Sequence, residues 1–262
     1  MSILLDLVTN IKKQSIEVID LTHTLSENFP ALVLPSEFGQ VAAFKKEEVS
    51  RYDERGAAWY WNNFTVGEHF GTHFDAPVHW ITGKDCKNGT VDTIGVENFI
   101  GAANIIDASK ECQENPDFVL DVEFIKAWEK KHGEIEAKTW VILRSDWYKK
   151  DFEKDFINID ENGLCHTPGP NKEAIEYLIK KDVLGYGCET INTDAGLSFT
   201  WEFQLPCHNL MQGAGKYGLQ CLRNLDKLPA KGSVIIASPL KIEDGSGSPL
   251  RVIALVENTN KG

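Results

Sequence analysis

The segment HFGTHFDAPVH, residues 69–79, is the feature that most constrains how this chain can fold. It places three histidines and one aspartate within a short stretch of a chain that has only seven histidines. Imidazole and carboxylate groups are ligands that divalent first-row metals bind. Gly71 and Pro77 make an ordinary helix unfavourable, so the segment is predicted to be an extended strand that runs into a turn.

The spacing of the four side chains predicts a catalytic type of metal site. In a strand, His69, His73 and Asp75 are separated by even steps and therefore point to one face. His79 is also an even number of residues from these three. Three ligands on one face leave positions open for water or substrate. The helical His-Glu-x-x-His zinc pattern does not apply, because Phe70 follows the first histidine and a glycine comes next.

Composition excludes several other classes of function. The chain has 262 residues and a net charge of −12, and its 42% hydrophobic content is typical of a globular protein. A strongly acidic chain without a basic stripe argues against binding to nucleic acid or to an anionic membrane. No apolar run is long enough to cross a bilayer, and the N-terminus is a poor signal peptide. We expect one domain, residues 1–262, in the cytoplasm.

Hydrophobic patterning predicts a mixed α/β fold. A short amphipathic helix is expected at the N-terminus, where Ile3 to Ile11 follow helical spacing. Asp121 is expected to cap a helix that ends before Gly133, and Pro170 and Asn171 to open another. Short β-branched runs predict strands at residues 17–21, 103–107, 139–144, 233–237 and 251–256.

The motif and several flanking segments resemble the metal-dependent cyclase family of amidohydrolases. The family pattern His-x-Gly-Thr-His-x-Asp-x-Pro-x-His is matched at every specified position from residue 69 to residue 79. The resemblance extends to VIDLTHTLSENFP, GAGKYGLQCLRNLDKLP and IIASPLKIEDGSGSPLR, and it covers nearly the whole chain. The family includes bacterial kynurenine formamidases, isatin hydrolases and lactone hydrolases. It implies a central β-rich, barrel-like layer flanked by helices.

The resemblance also implies roles for the residues of the motif. His69, His73 and Asp75 correspond to metal ligands, and His79 to the residue that transfers protons. An imidazole suits that task because it titrates near neutral pH. His79 would take up a proton from the attacking water and return it to a leaving nitrogen.

A second pair, His208 and Gln220, bears on the number of metal ions. In kynurenine formamidases a histidine and a glutamate at this spacing help to hold a second zinc ion. Here the acid is replaced by Gln220, which supplies no charge to offset repulsion between two cations. We therefore expect one divalent ion, Mn²⁺ in preference to Zn²⁺, with the Gln220 carbonyl as a fourth ligand. His208 is then available to donate a hydrogen bond to a substrate carbonyl, although a structural role stays open.

Aromatic residues close to the motif in sequence are candidates for a substrate pocket. Phe38, Trp59, Trp61 and Trp80 could stack on a planar ring, although packing in the core is the alternative for each. Asp194 could orient a histidine or could belong to a turn.

Two further features have simpler interpretations. The loop GSGSPLR, residues 245–251, is interpreted as a turn rather than a phosphate-binding loop, because no Gly-Lys-Ser/Thr ending follows. Cys207, beside His208, is expected to be a buried free thiol.

The leading hypothesis is a metal-dependent hydrolase that opens a cyclic amide on an aromatic scaffold, namely isatin to isatinate. The segment from VLPSEFGQ to RYDERGAAWYWNN and the KYGLQCL sequence resemble the isatin hydrolase branch. Alternatives are a formamidase acting on N-formylkynurenine, a lactone hydrolase, or a protein that binds a metal or small ligand without catalysis. We also expect a homodimer, because the apolar face of residues 3–11 needs a partner or the chain's own core.

Overall fold

A computed structural model describes residues 2–152 and 154–258. The first and last residues of the predicted domain, 1 and 262, lie outside the described residues. The α-helices of the described part are α1 (Ile3–Lys12), α2 (Ser109–Glu114), α3 (Val122–His132) and α4 (Lys172–Lys180). Its strands are β1 (Ile16–Asp20), β2 (Lys45–Asp53), β3 (Gly56–Thr65), β4 (His73–Asp75), β5 (Ile100–Asp107), β6 (Val119–Leu120), β7 (Trp140–Arg144), β8 (Gly169–Pro170), β9 (Gly185–Cys188), β10 (Tyr217–Gln220), β11 (Ser233–Ala237), β12 (Gly247–Pro249) and β13 (Val252–Glu257). Among the described residues, no helix has both the length and the apolarity to cross a lipid bilayer.

A curled nine-stranded sheet, in the order β1-β13-β11-β5-β7-β9-β10-β4-β12, forms the centre of the molecule. Its middle strands β5, β7, β9 and β10 are parallel, and the strands on both sides of them are antiparallel. The five strands predicted from the sequence all belong to this sheet. The mixed α/β prediction is therefore confirmed, and the barrel-like layer is present as the curled sheet.

Both faces are buried in the middle of the sheet, as β7 illustrates. Trp140 and Ile142 pack into the apolar cluster on one face, while Val141 and Leu143 belong to the cluster on the other. The second cluster includes the apolar sides of α3 and α4, for example Ile125. Alternating residues of a strand point to opposite faces, which is why a continuous apolar run such as WVIL fits a strand covered on both sides.

The helix boundaries follow the capping signals in the sequence. Asp121 accepts a hydrogen bond from Phe124 N at the start of α3, and Gly133 ends that helix with a φ of 91°. Asn171 caps α4 in the same way. Helix α1 has no buried residue.

A separate two-stranded sheet, the β2–β3 hairpin of residues 45–65, carries several exposed aromatic side chains. Trp59 and Trp61 are 50% and 57% exposed, and their rings contact each other edge to face. Phe38, in the loop before the hairpin, is also exposed. These aromatic groups do not belong to the buried core of the chain.

Candidate metal centre and adjoining cavity

The motif follows a different chain path from the predicted strand. Residues 68–72 form turns and bends, β4 covers only His73–Asp75, and a short 3₁₀ helix, Pro77–His79, follows. The prediction that His69 lies on the same strand face as His73 is therefore wrong. Instead, Gly71 adopts a φ of 66°, which glycine tolerates best, and the turn brings His69 back towards Asp75.

Asp75 is the centre of the site. Its carboxylate is fully buried, with His69 Nδ1 2.9 Å and His73 Nε2 3.3 Å from Oδ1. Gln220 donates its amide hydrogen to Oδ2, and His208 Nε2 lies 3.9 Å from the same oxygen. Burial by itself would raise the pKa of Asp75, but the imidazoles of His73, His69 and His79 around the carboxylate hold its pKa well below the usual value.

His79 lies beside this group rather than apart from it. Its ring stacks on His69 with centroids 3.7 Å apart, and ligand atoms of His69, Asp75 and His79 lie within 4.8 Å of one another. Burial lowers the pKa of His79 to about 3, an effect that Asp75 only partly offsets. The imidazole is therefore held in its unprotonated form at neutral pH, and it is also close enough to bind a metal ion.

The strands on each side of β4 explain how distant residues reach the motif. In β10, Gln220 pairs with His73, and directly paired residues of antiparallel strands share a face. Gly218 of β10 and Gly247 of β12 both pair with Asp75. A Cβ atom at Gly218 would lie only 2.8 Å from Asp75 Oδ2, so this position leaves room for the carboxylate.

His208 is oriented by a buried aspartate. It begins a π-helical turn, His208–Gln212, and its Nδ1 lies 2.6 Å from Asp194 Oδ2. Asp194 also accepts hydrogen bonds from the backbone N–H groups of Cys207 and His208. Burial opposes protonation of His208, but the bond to Asp194 outweighs it and raises the pKa of the imidazole. Of the two roles considered for Asp194, the structure supports orientation of a histidine.

A cavity of about 260 Å³ opens onto these groups. Its polar end is formed by His69, His73, His79, His208 and Gln220. Its apolar wall comes from two segments that sequence reasoning did not identify, with Pro30, Leu32, Leu34 and Val41 on one side and Ile191, Phe199 and Leu205 on the other.

Trp80 is the one proposed aromatic residue that the described chain brings to this cavity. Its Nε1 donates to Asn209 Oδ1 at 2.9 Å, and its ring lies 4.8 Å from His208. The cavity wall formed by the described residues does not include Phe38, Trp59 or Trp61. Within one chain, therefore, these three predicted substrate contacts are not brought together with the site.

Comparison with known proteins identifies the family of this chain. The Cyclase family model matches residues 19–195. An isatin hydrolase from Roseibium aggregatum is 49% identical over 243 residues, which cover 92% of each protein. The chain belongs to the Cyclase family.

Two solved structures show how closely the fold of this Cyclase-family chain agrees with its relatives. Isatin hydrolase A from Ralstonia solanacearum has a TM-score of 0.95 at 56% identity, and the match covers 98% of both chains. An isatin hydrolase bound to the product analogue thioisatinate has a TM-score of 0.96 at 46% identity, and the match covers 98% of this chain and 100% of that one.

The buried groups of this Cyclase-family site fit a divalent metal ion. In the described part of the chain, the fully buried carboxylate of Asp75 faces the imidazoles of His69, His73 and His208 and the amide of Gln220. Burying an ionised carboxylate is costly unless a cation compensates it. Imidazole nitrogen and carboxylate oxygen suit Zn²⁺ and Mn²⁺ alike. Cys207 and Cys221 are buried, and burial raises the pKa of both thiols.

Proposed function

We propose that this protein hydrolyses isatin to isatinate. The observation that carries the proposal is the cavity itself, whose apolar wall ends at a buried cluster of one carboxylate and several imidazoles. In the reaction, the hydroxyl of water adds to the amide carbonyl carbon. The bond from that carbon to the ring nitrogen breaks, the nitrogen gains a proton, and a carboxylate and an aromatic amine result.

His69, His73 and Asp75 are the proposed ligands of one divalent ion, and the Gln220 carbonyl oxygen is the proposed fourth. The ion would polarise the amide carbonyl of the substrate when bound. His73 donates from Nδ1 to Gly71 O at 2.8 Å, which leaves Nε2 directed at Asp75. Such a hydrogen bond fixes the orientation of a ligating imidazole. His79 lies within reach of the same ion, so the variant below distinguishes a proton carrier from a ligand.

His79 is proposed to move the proton from water to the ring nitrogen. Burial lowers the pKa of His79, so its imidazole is unprotonated before water attacks, and the negative charge of Asp75 opposes that effect and favours the imidazolium that forms once the proton is taken up. His79→Ala should retain the metal ion and lower kcat by about 10²–10⁴-fold, the usual contribution of such a group. Loss of the metal ion from this variant would instead make His79 a ligand.

His208 is proposed to hold the second carbonyl oxygen of the substrate. The Nδ1–H of His208 donates a hydrogen bond to Asp194. Nε2 can therefore donate towards the cavity only when the ring carries both protons. Asp194 favours that state by raising the pKa of the imidazole. A charged donor would also attract the carboxylate of the product.

Gln220 supports a single metal ion. Its amide contacts Asp75 and adds no negative charge, so a second cation beside the first would be poorly compensated. We propose Mn²⁺ as the preferred ion, with Zn²⁺ as the alternative, because the Gln220 carbonyl would add a second oxygen ligand to that of Asp75 and oxygen-rich ligation favours Mn²⁺.

Trp80 is proposed to pack against the planar ring of the substrate. Its indole is fixed by the bond to Asn209 and faces His208, so it needs little ordering when the substrate binds. A flexible N-formylkynurenine molecule would lose more conformational freedom in the same apolar cavity. This difference favours isatin over the formamidase substrate.

We further propose a cytoplasmic homodimer whose subunits are single domains of residues 1–262. The exposed apolar side of α1 and the exposed tryptophans of the β2–β3 hairpin are surfaces that a second subunit could cover. Phe38, Trp59 and Trp61 could then contact a substrate only from a neighbouring subunit. Light scattering of the protein at micromolar concentration tests this, and a monomer would contradict it.

The substrate is tested by comparing turnover on three compounds. Metal-stripped protein is reconstituted with Mn²⁺ or Zn²⁺ and assayed with isatin, N-formylkynurenine and a simple lactone. We expect kcat/KM to be highest for isatin. A higher value for N-formylkynurenine or the lactone would identify the other reaction, and absence of turnover with every compound would favour a protein that only binds.

A further inference from the structure

The segment of residues 245–249, whose glycines suggested only a turn, packs directly against the proposed metal centre. Ser246 Oγ lies 2.9 Å from His69 Nε2, and it donates a hydrogen bond to Glu68 Oε2 at 2.6 Å. We propose that Ser246 and Glu68 are positioning residues for His69 and that His69 binds the metal through Nδ1. This inference rests on the proposed role of His69 as a metal ligand.

The direction of the hydrogen bonds determines which nitrogen of His69 is free. A carboxylate can only accept hydrogen bonds, so the Ser246 hydroxyl donates its single proton to Glu68. The hydroxyl oxygen must then accept from His69 Nε2–H. In the neutral ring, Nδ1 keeps its lone pair, and it lies 2.9 Å from Asp75 Oδ1.

Two acceptor atoms that face each other at this distance repel unless a cation lies against both. A divalent ion bound by His69 Nδ1 and Asp75 satisfies both atoms at once. In His73 the roles of the two ring nitrogens are exchanged, because Nδ1 donates a hydrogen bond to a backbone carbonyl and Nε2 faces Asp75. The two histidines are thus set to bind through different nitrogens, each fixed by the partner of the other nitrogen.

The backbone around Ser246 is shaped to keep this contact in place. Ser246 N also donates to Glu68 Oε2 at 3.2 Å, and Ser246 O accepts from Ala76 N at 2.9 Å. A Cβ atom at Gly247 would lie 2.5 Å from His69 Cε1, so this position admits only glycine while the ring stays where it is. The segment therefore supports the imidazole from its outer edge.

Ser246→Ala tests the inference through metal affinity. Loss of an outer partner of a ligating histidine lowers metal affinity by about 10–100-fold. We expect this rise in Kd for Mn²⁺ and Zn²⁺, measured by competition with a chelating dye on metal-stripped protein. Ser248→Ala is the matched control, because this buried serine lies in the same segment but its hydroxyl bonds to Leu240 N and Pro249 O.

Two Glu68 variants separate positioning from a general structural effect. Glu68→Gln keeps an oxygen that can accept from Ser246, so its Kd should stay within about threefold of the parent value, below the loss expected when the partner is removed. Glu68→Ala should match Ser246→Ala. The inference is overturned if Ser246→Ala binds both ions as tightly as Ser248→Ala.

His69→Ala distinguishes the inference from the proposed function. If His69→Ala weakens metal binding while Ser246→Ala does not, the positioning role is wrong and the ligand assignment stands. If His69→Ala leaves metal binding unchanged, the ligand assignment fails, and the positioning role fails with it.

Discussion

Replacing Gln220 by glutamate is the sharpest test of the charge arrangement at the site. The Gln220 amide donates to Asp75 Oδ2, and both side chains are buried. Gln220→Glu changes the size of the side chain very little. It removes the donor and places a second carboxylate against the first.

The expected cost follows from the short separation of the two groups. Two unit charges about 4 Å apart repel by about 4 kcal/mol at an effective dielectric constant of about 20. This repulsion raises the pKa of the pair formed by Asp75 and the introduced carboxyl group in the folded metal-free protein. A raised acid pKa removes stability as pH rises above the unfolded value, which is about 4.3 for glutamate. The loss should therefore be small near pH 4 and should approach about 4 kcal/mol above neutral pH.

The assay is urea unfolding of metal-stripped protein across this pH range, followed by metal titration. Gln220→Met is the control, because it removes the amide without adding charge and should show a loss independent of pH. Adding Mn²⁺ or Zn²⁺ should restore the stability of Gln220→Glu and raise its capacity towards two ions per chain. Equal pH profiles for the two variants, together with unchanged metal stoichiometry, would refute the placement of Gln220 at the ion.

Two further predictions concern the surroundings of the site, and a third concerns the buried Glu189, which accepts hydrogen bonds from Ser145 and Trp147. Asp194→Asn keeps an acceptor for the backbone but removes the charge beside His208, so kcat for isatin should fall by about 10–100-fold at unchanged metal content; steady-state kinetics that match the parent protein would exclude this role. Trp80→Ala should raise KM for isatin by about tenfold through lost stacking and buried area, and an unchanged KM would remove Trp80 from the substrate wall. Burial raises the pKa of Glu189 to about 7, so its contribution to stability is lost as pH rises from about 4.5 through 7, by up to about 3 kcal/mol. Glu189→Gln should become more stable relative to the parent over that interval in urea unfolding, and a constant difference would contradict it.

The sequence predicted the elements whose signals are local. The capping residues Asp121 and Asn171 mark the starts of α3 and α4 because a side-chain oxygen there satisfies a free backbone N–H. The strands 233–237 and 139–144 were recognisable from short β-branched runs, of which 139–144 is buried on both faces while 233–237 alternates buried and half-buried residues. The order of strands in the sheet follows no local rule, so it required the structure.

The site was predicted less completely, for identifiable reasons. Alternating side chains share a face only along a continuous strand, and the positive φ of Gly71 turns the chain between His69 and His73. The partner of His69, Ser246, lies 177 residues away along the chain. Trp59 and Trp61 of β3 lie on the same face of the strand because they are two residues apart. Their spacing alone does not tell whether that face covers a cavity or points to solvent.

The charges around Asp75 explain why one glutamine matters to the proposed chemistry. Among the described residues, Asp75 is the carboxylate that would contact the ion directly. Glu68 is hydrogen-bonded to the Ser246 hydroxyl, and Asp194 is hydrogen-bonded to His208. A divalent ion at Asp75 would therefore keep a net charge near +1. That charge would favour the negative charge that develops on the substrate carbonyl oxygen, because electrostatic attraction is strong in a buried, apolar cavity. A second carboxylate at Gln220 would cancel it, and a second cation would be needed to restore it.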